Sequence, residues 1–261
     1  MEDIVVVIPV HEYNESIKNM LSDAMGSCNN KICIACPKEV KAQVEKDFVM
    51  PLMYSTDAND NSFSALVNGA VKFLQKHKYK WFSVLEFDDT YKPYWFGEVE
   101  RYYKANPEVS AFLPLTQLMR EKDGQVSFCG YGNEAPWASA FSNEIGFIDF
   151  EVLTNYFDFY LTGSVFSVDD FIYVGGLKES MKVVFWYEFL LRLTHMGKKV
   201  YVVPKLGYVH LVDRKDSLFD IYKSTLSKEE IAWWYDLAKE ECYFIKDRNK
   251  IYDNQKEEEE E

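Results

Sequence analysis

The segment Leu85-Glu86-Phe87-Asp88-Asp89-Thr90-Tyr91-Lys92-Pro93 puts three carboxylates directly behind an apolar run. Acids gathered at the tip of a strand repel one another unless a cation relieves them. Oxygen ligands at this spacing suit Mg2+ or Mn2+, ions that can in turn hold a diphosphate. The same residues would also serve as an acidic turn capping the next helix, because Asp and Thr favour such positions. A second pattern, Cys33-Ile34-Ala35-Cys36, has the spacing of a metal or redox pair but sits in an apolar, strand-like run. Residues three apart on a strand face opposite ways, so core packing is the better reading.

The elements that would position the acids can be traced from the start of the chain. Residues 4–9 are a β-branched run closing on Pro9, the pattern of a strand buried on both faces. Helical character follows over 16–25, a strand over 31–35, a helix over 38–46 and a strand over 51–55. An amphipathic helix over 64–77 carries Leu66, Ala70, Phe73 and Leu74 on one side, and residues 81–85 make a fourth strand. This alternation predicts a doubly wound α/β sheet. Ligands of such sheets bind beyond the carboxyl ends of the strands, which singles out the loops after Pro9 and Leu85.

Further along, 95–104 reads as a helix and 109–115 as a strand. Residues 120–147, richer in Gly and Asn, give no clear element. A tight turn at Val174-Gly175-Gly176 precedes a helix over 185–196, a strand over 199–203 and an extended segment over 207–212. A last helix over 227–244 opens on a capping box of Ser227 and Glu230.

Composition narrows the function classes. The 261 residues hold 29 Lys and Arg against 42 Asp and Glu, a net charge of −13, and 16% aromatic residues. A field of that sign repels phosphate backbones and argues against a nucleic-acid coating role, though not against a local basic groove. Five of the acids are the run 257–261, expected to be a solvated tail. No run has the roughly 20 apolar residues needed to cross a bilayer. The acidic start Met1-Glu2-Asp3 lacks the basic end of a secretory signal. Five cysteines, odd and sparse, fit reduced thiols, so a cytoplasmic location is expected.

Five stretches, in order, resemble the family-2-type glycosyltransferases of the GT-A fold. Val5 to Glu15 is similar to that family's apolar strand and Pro-x-x-Asn-Glu turn, with about two residues inserted. Ala65-Leu66-Val67-Asn68-Gly69 is similar to its Ala-x-x-Asn-x-Gly-like helix start. Leu85 to Pro93 is similar to its Asp-x-Asp-Asp metal motif, with Glu86 in place of the first Asp. Val174-Gly175-Gly176-Leu177-Lys178-Glu179 resembles its Val-Gly-Gly-Phe-x-Glu turn. Glu188 to Leu193 followed by Gly197 to Val200 resembles the acidic helix and strand that come next.

The resemblance implies a GT-A-type, Rossmann-like, doubly wound mixed sheet over residues 1–215, with a helical extension over 216–250 and an acidic tail over 251–261. It implies an enzyme that moves a sugar from a nucleotide-diphosphate donor, UDP-linked by default, to a hydroxyl acceptor on a glycan, protein or other molecule, with inversion and with Mn2+ or Mg2+. Pro9, His11, Glu12, Asn68, Glu86 and Arg214 become donor contacts, and Asp88 a metal ligand with Asp89 beside it or behind it. Relatives place a late histidine on the same ion, which here points to His210. A cation held by Asp88 and His210 would stabilise the charge on a departing diphosphate. Aromatic faces stack on sugar rings, and Trp137 is the acceptor-site candidate.

The chain departs from the family twice. Aligned on Arg192, the acidic pair that supplies the general base falls on Phe185-Trp186, which leaves Glu188 and Asp170 as candidate bases, with Asp169 and the turn residue Glu179 as competing acids. Glu188 would equally pair with Arg192 one helical turn away. After the second strand, Ala35-Cys36-Pro37-Lys38 has no acid to hold a base or ribose. Three other readings stand beside the enzyme. One is a non-catalytic nucleotide-sugar or glycan-binding module, and another a glycosyltransferase acting on nucleic-acid bases. The third, a nucleotidyltransferase, is opposed by the absence of Gly and of basic residues from His11 to Glu15.

Overall fold

A computed structural model describes residues 4–50, 52–122, 124–138, 141, 144–212 and 217–240. The first half alternates as expected: β1 (Ile4–Pro9), α1 (Glu15–Gly26), β2 (Lys31–Ala35), α2 (Lys38–Asp47), β3 (Met53–Ser55), α3 (Phe63–Lys76), β4 (Trp81–Val84). A short β5 (Thr90–Tyr91) and α4 (Trp95–Ala105) lead to β6 (Val109–Lys122) and β7 (Gln125–Gly132). Then come β8 (Phe147–Ile148), α5 (Phe150–Asn155), β9 (Val165–Ser167), α6 (Val168–Tyr173), α7 (Phe185–His195), β10 (Lys199–Val212), α8 (Leu218–Ser224) and α9 (Lys228–Glu240).

The strands form one mixed sheet in the order β3-β2-β1-β4-β9-β6-β10-β5, with β7 on β6 and β8 on β10. Neighbours from β3 to β4 run parallel, β9 is antiparallel to both its neighbours, and β6 and β10 pair in parallel. β1 lies inside the sheet and is buried along its whole length. Its side chains divide by parity. Val5 and Val7 join a core with α3, α6 and α7, while Ile4, Val6 and Ile8 join one with α1, α2 and α4. That two-sided burial is why the strand reads as an unbroken apolar run rather than an alternating one. The same parity sends Cys33 and Cys36 into opposite cores, and burial pushes both thiols up to about 12.

Where the sequence shows a strand over 199–203 and a separate segment over 207–212, the structure has one strand interrupted by register shifts near Leu206. Among the described residues, the region without a clear element proves to be the end of β6, β7, a 3-10 turn over Ala135–Trp137 and the start of β8. Among the described residues, no helix is long and apolar enough to cross a membrane.

The irregularity in β10 has a packing cause. Trp95 is fully buried, and a Cβ on Gly207 would lie 2.4 Å from its ring. The Gly207 carbonyl accepts from Lys92 N–H at 2.9 Å, tying the acidic segment to β10 at this closest approach. Gly207→Ala is expected to lower stability by about 1–3 kcal/mol through overpacking. A denaturant midpoint at the wild-type value would show that Trp95 moves aside without cost.

Candidate active site

The carboxyl ends of β1 and β4 are hydrogen-bonded neighbours, and the loops leaving them run into one cavity of about 320 Å3. Pro9 and His11 come from the first loop, Glu86, Phe87 and Asp88 from the second, and His210 from β10. The acidic loop is held by the strand beneath it. The buried Tyr208 hydroxyl accepts from Glu86 N–H at 3.1 Å, and the Tyr208 ring packs on Tyr91, whose own hydroxyl meets Ser83 at 2.7 Å. Gly163 makes room for Tyr208. It adopts φ +79°, and a Cβ there would lie 2.3 Å from the tyrosine ring.

The three acids have different surroundings. Glu86, Asp89 and His210 each bring one ligand atom within 4.8 Å of the others. Asp89, only 2% exposed, uses both oxygens on β10: Oδ2 lies 2.7 Å from His210 Nδ1 and Oδ1 accepts from Leu211 N–H at 2.8 Å. It does not line the cavity, whereas Glu86, Asp88 and His210 do. A carboxylate oxygen accepts, so the proton of a neutral His210 ring sits on Nδ1 and leaves Nε2 as a ligand atom. Carboxylates orient metal-bound histidines in this way.

The donor set fits a hard or borderline divalent cation. The carboxylates suit Mg2+ or Mn2+, the imidazole favours the softer Mn2+ of the two, and the surroundings favour positive charge. Burial of His210 acts to lower its pKa, but the contact with Asp89, followed by Glu86 and Asp88, outweighs it and raises the pKa to about 9. Glu86 and His210 belong to the group whose ligand atoms could share an ion, with Asp89 as its third member behind the histidine, and Asp88 lines the same cavity.

Other residues singled out in the sequence lie elsewhere. Glu12 is exposed, 3.9 Å from His11 Nε2, and is not in the cavity wall. Asn68 is buried and spends its amide within the protein. It accepts from Leu177 N–H at 2.8 Å and donates to Leu177 O and to Glu179 at 2.8 and 3.1 Å, clamping α3 to the Gly175-Gly176 turn. A Cβ on Gly176 would lie 2.6 Å from the Asn68 Oδ1 atom. Its place in an ordered motif is thus explained by structure rather than by donor contact.

Trp137 wedges into the sheet, its indole donating to Val202 O at 3.0 Å and its ring packed on Tyr201, away from the cavity wall. Neither candidate base reaches the cavity wall. Glu188, 1% exposed, makes two 2.7 Å hydrogen bonds with Arg192, and Asp170 pairs with Lys198 at 2.5 Å. Arg214 and the 251–261 tail lie outside the described residues.

Sequence reasoning passed over the aromatic part of the wall. Residues 157–162 line it, together with Val183, Phe185, Trp186 and Tyr187 near the start of α7, and Leu218, Tyr222, Lys223 and Tyr235 from α8 and α9. The aromatic run Tyr156-Phe157-Asp158-Phe159-Tyr160 was the available signal. Phe185 and Trp186, the positions where an acidic pair was expected, do face the site, as rings.

No protein-family model matches the chain, and no curated protein matches its sequence. Solved structures do match. S. aureus TarS 1–349 in complex with UDP-GlcNAc aligns with a TM-score of 0.59 at 9% identity, over 89% of this chain and 64% of that one. The same protein in complex with UDP gives a TM-score of 0.56 at 10% identity, over 92% and 70%. A longer S. aureus TarS chain gives 0.52 at 9% identity, over 92% of this chain and 42% of that one. The chain therefore spans about two thirds or less of the length of two of these three neighbours and shares their architecture at very low identity: its fold is the GT-A-type fold of S. aureus TarS.

Proposed function

We propose that the protein is a nucleotide-sugar-dependent glycosyltransferase. It transfers a sugar from a UDP-linked donor to a hydroxyl acceptor by a single displacement with inversion, using Mn2+ or Mg2+. The observation that carries this reading is the meeting of Glu86, Asp88 and His210 in one cavity at the carboxyl ends of β1 and β4. Architectural neighbours crystallised with UDP-GlcNAc and UDP support the choice of donor.

In this reading Pro9 and His11 bound the nucleotide, and Glu86, Asp88 and His210 hold the cation. Asp89 keeps the His210 ring in one tautomer and orientation. When bound, the cation stabilises the negative charge of the leaving diphosphate. The aromatic part of the wall receives the acceptor and excludes water from the transferring sugar.

Thermal-shift measurements with UDP-GlcNAc and related donors, with and without Mn2+, test the reading. A ligand at 100 times its dissociation constant adds about 2.7 kcal/mol of stability, so the expected result is a metal-dependent rise in Tm. No shift with any nucleotide sugar would overturn the assignment.

One observation favours a second reading, a binding module without turnover: α7 presents Phe185 and Trp186 where a catalytic acid was expected, and Glu188 is sequestered by Arg192. Donor binding with no release of nucleoside diphosphate would decide for the module.

A further inference from the structure

The reaction proposed above needs a group to accept the proton of the acceptor hydroxyl, and neither base candidate read from the sequence reaches the cavity. Among the described residues, the cavity wall contains one carboxylate besides Glu86 and Asp88, namely Asp158. It lies on the 156–164 connection between α5 and β9, among the residues that line the cavity.

That segment is anchored on both sides of Asp158. On one side the Phe157 ring packs on Tyr235 of α9 at 4.7 Å and on Tyr187 of α7 at 6.1 Å. On the other, the Tyr160 ring lies 5.8 Å from His210. The Tyr160 backbone is held by one side chain: Asn133, 2% exposed and at φ +67°, accepts from Tyr160 N–H at 2.9 Å and donates to Tyr160 O at 2.8 Å. Asp158 therefore sits two residues from a doubly hydrogen-bonded anchor, in sequence between Phe157 of the aromatic wall and Tyr160, whose ring neighbours the histidine of the cation site. Such fixing lets a side chain meet its substrate without reorganising. The Tyr235 phenol is pushed up by burial first and by the Asp158 charge second, which places that charge beside the aromatic wall.

We infer that Asp158 is the general base and that the hydroxyl acceptor binds between it and the aromatic residues Phe157, Trp186 and Tyr235. In the step, the acceptor oxygen forms a bond to the anomeric carbon of the sugar. The bond from that carbon to the phosphate oxygen breaks, its electron pair leaving with the nucleoside diphosphate. The acceptor proton passes to the Asp158 carboxylate. The base thus comes from a connection, not from α7, whose first turn has become part of the apolar acceptor wall.

This inference rests on the glycosyltransferase reading, and one experiment separates the two. The full chain is assayed with UDP-GlcNAc, Mn2+ and methyl glycosides as acceptors, measuring donor binding by calorimetry and UDP release by a coupled assay. A positioned general base contributes about 10²–10⁴-fold. Asp158→Asn is therefore expected to slow UDP release at least about 100-fold while donor affinity and Tm stay within about twofold and a degree or two of wild type. Asp158→Glu is expected to retain part of the rate.

Asp158→Asn turning over at the wild-type rate overturns the base assignment alone. A rate loss matched by an equal loss of donor affinity also overturns it. Wild-type protein that binds the donor without releasing UDP overturns it in favour of the binding module. Wild-type protein that does not bind the donor overturns the glycosyltransferase reading, and the base with it.

Discussion

Replacing Arg192 with methionine is expected to lower stability by about 3 kcal/mol, the low end of the usual cost of breaking a buried pair, because Glu188 keeps a longer 3.7 Å contact with Lys178. Arg192 and Glu188 are 2% and 1% exposed and make two hydrogen bonds of 2.7 Å. The guanidinium also donates to the carbonyls of Val174 and Gly176, so it ties α7 to the Gly175-Gly176 turn as well as neutralising Glu188. The double replacement Glu188→Leu with Arg192→Met is expected to recover part of the loss, because no buried charge is then unmatched. Recovery should stay incomplete, since the two turn carbonyls lose their donors. Denaturant midpoints for the two single variants and the double form the cycle. A double variant no more stable than Arg192→Met would show that the turn contacts, not the charge, dominate.

The adjacent acids Asp88 and Asp89 are expected to respond in opposite ways. Asp88 lines the cavity, whereas Asp89 is buried behind His210 and its two oxygens serve β10. Asp88→Ala should leave the ligand-free protein within about 0.5 kcal/mol of wild type, as for most partly exposed positions. It should abolish the Mn2+-dependent shift with donor and reduce nucleoside diphosphate release at least about 100-fold, the loss of several kcal/mol of charge stabilisation.

Asp89→Ala should instead destabilise the free protein by about 3 kcal/mol, stranding the Leu211 N–H and an imidazole held by negative charge. Its effect on metal affinity should be the 10–100-fold typical of a residue behind a ligand. Calorimetry with Mn2+ beside thermal melts of the ligand-free variants distinguishes the two. If Asp89→Ala were harmless to stability while Asp88→Ala unfolded the protein, the roles would be reversed.

The strands β1, β2 and β4 of the first half were legible because they are buried almost throughout and close on a proline or a polar break, whereas β3 is a half-buried edge strand. The run Ile4–Pro9 has no alternative use for six consecutive apolar residues. The acidic loop was legible because carboxylates are costly to gather and so stand out. Asn68 carried a motif but a structural duty, since an amide that donates and accepts at once can clamp a turn as well as a ligand. The 120–147 region was opaque because its organising contact, Asn133 with the Tyr160 backbone, joins residues 27 apart and leaves no local periodicity.

What the amino-acid order determined by itself was the alternation of strands and helices, the two-sided core, and the presence of acids where a strand ends, all of which follow from local burial and charge. Which of those acids faces the cavity and which faces the protein was settled only by the packing of β10 against the loop. His210 and Asp89 are 121 residues apart, and their 2.7 Å contact depends on the pairing of β10 with β5 and β6. The aromatic wall likewise exists only because α8 and α9 fold back to meet residues 157–162. Long-range pairing fixes side-chain direction, and no local pattern in the chain encodes it.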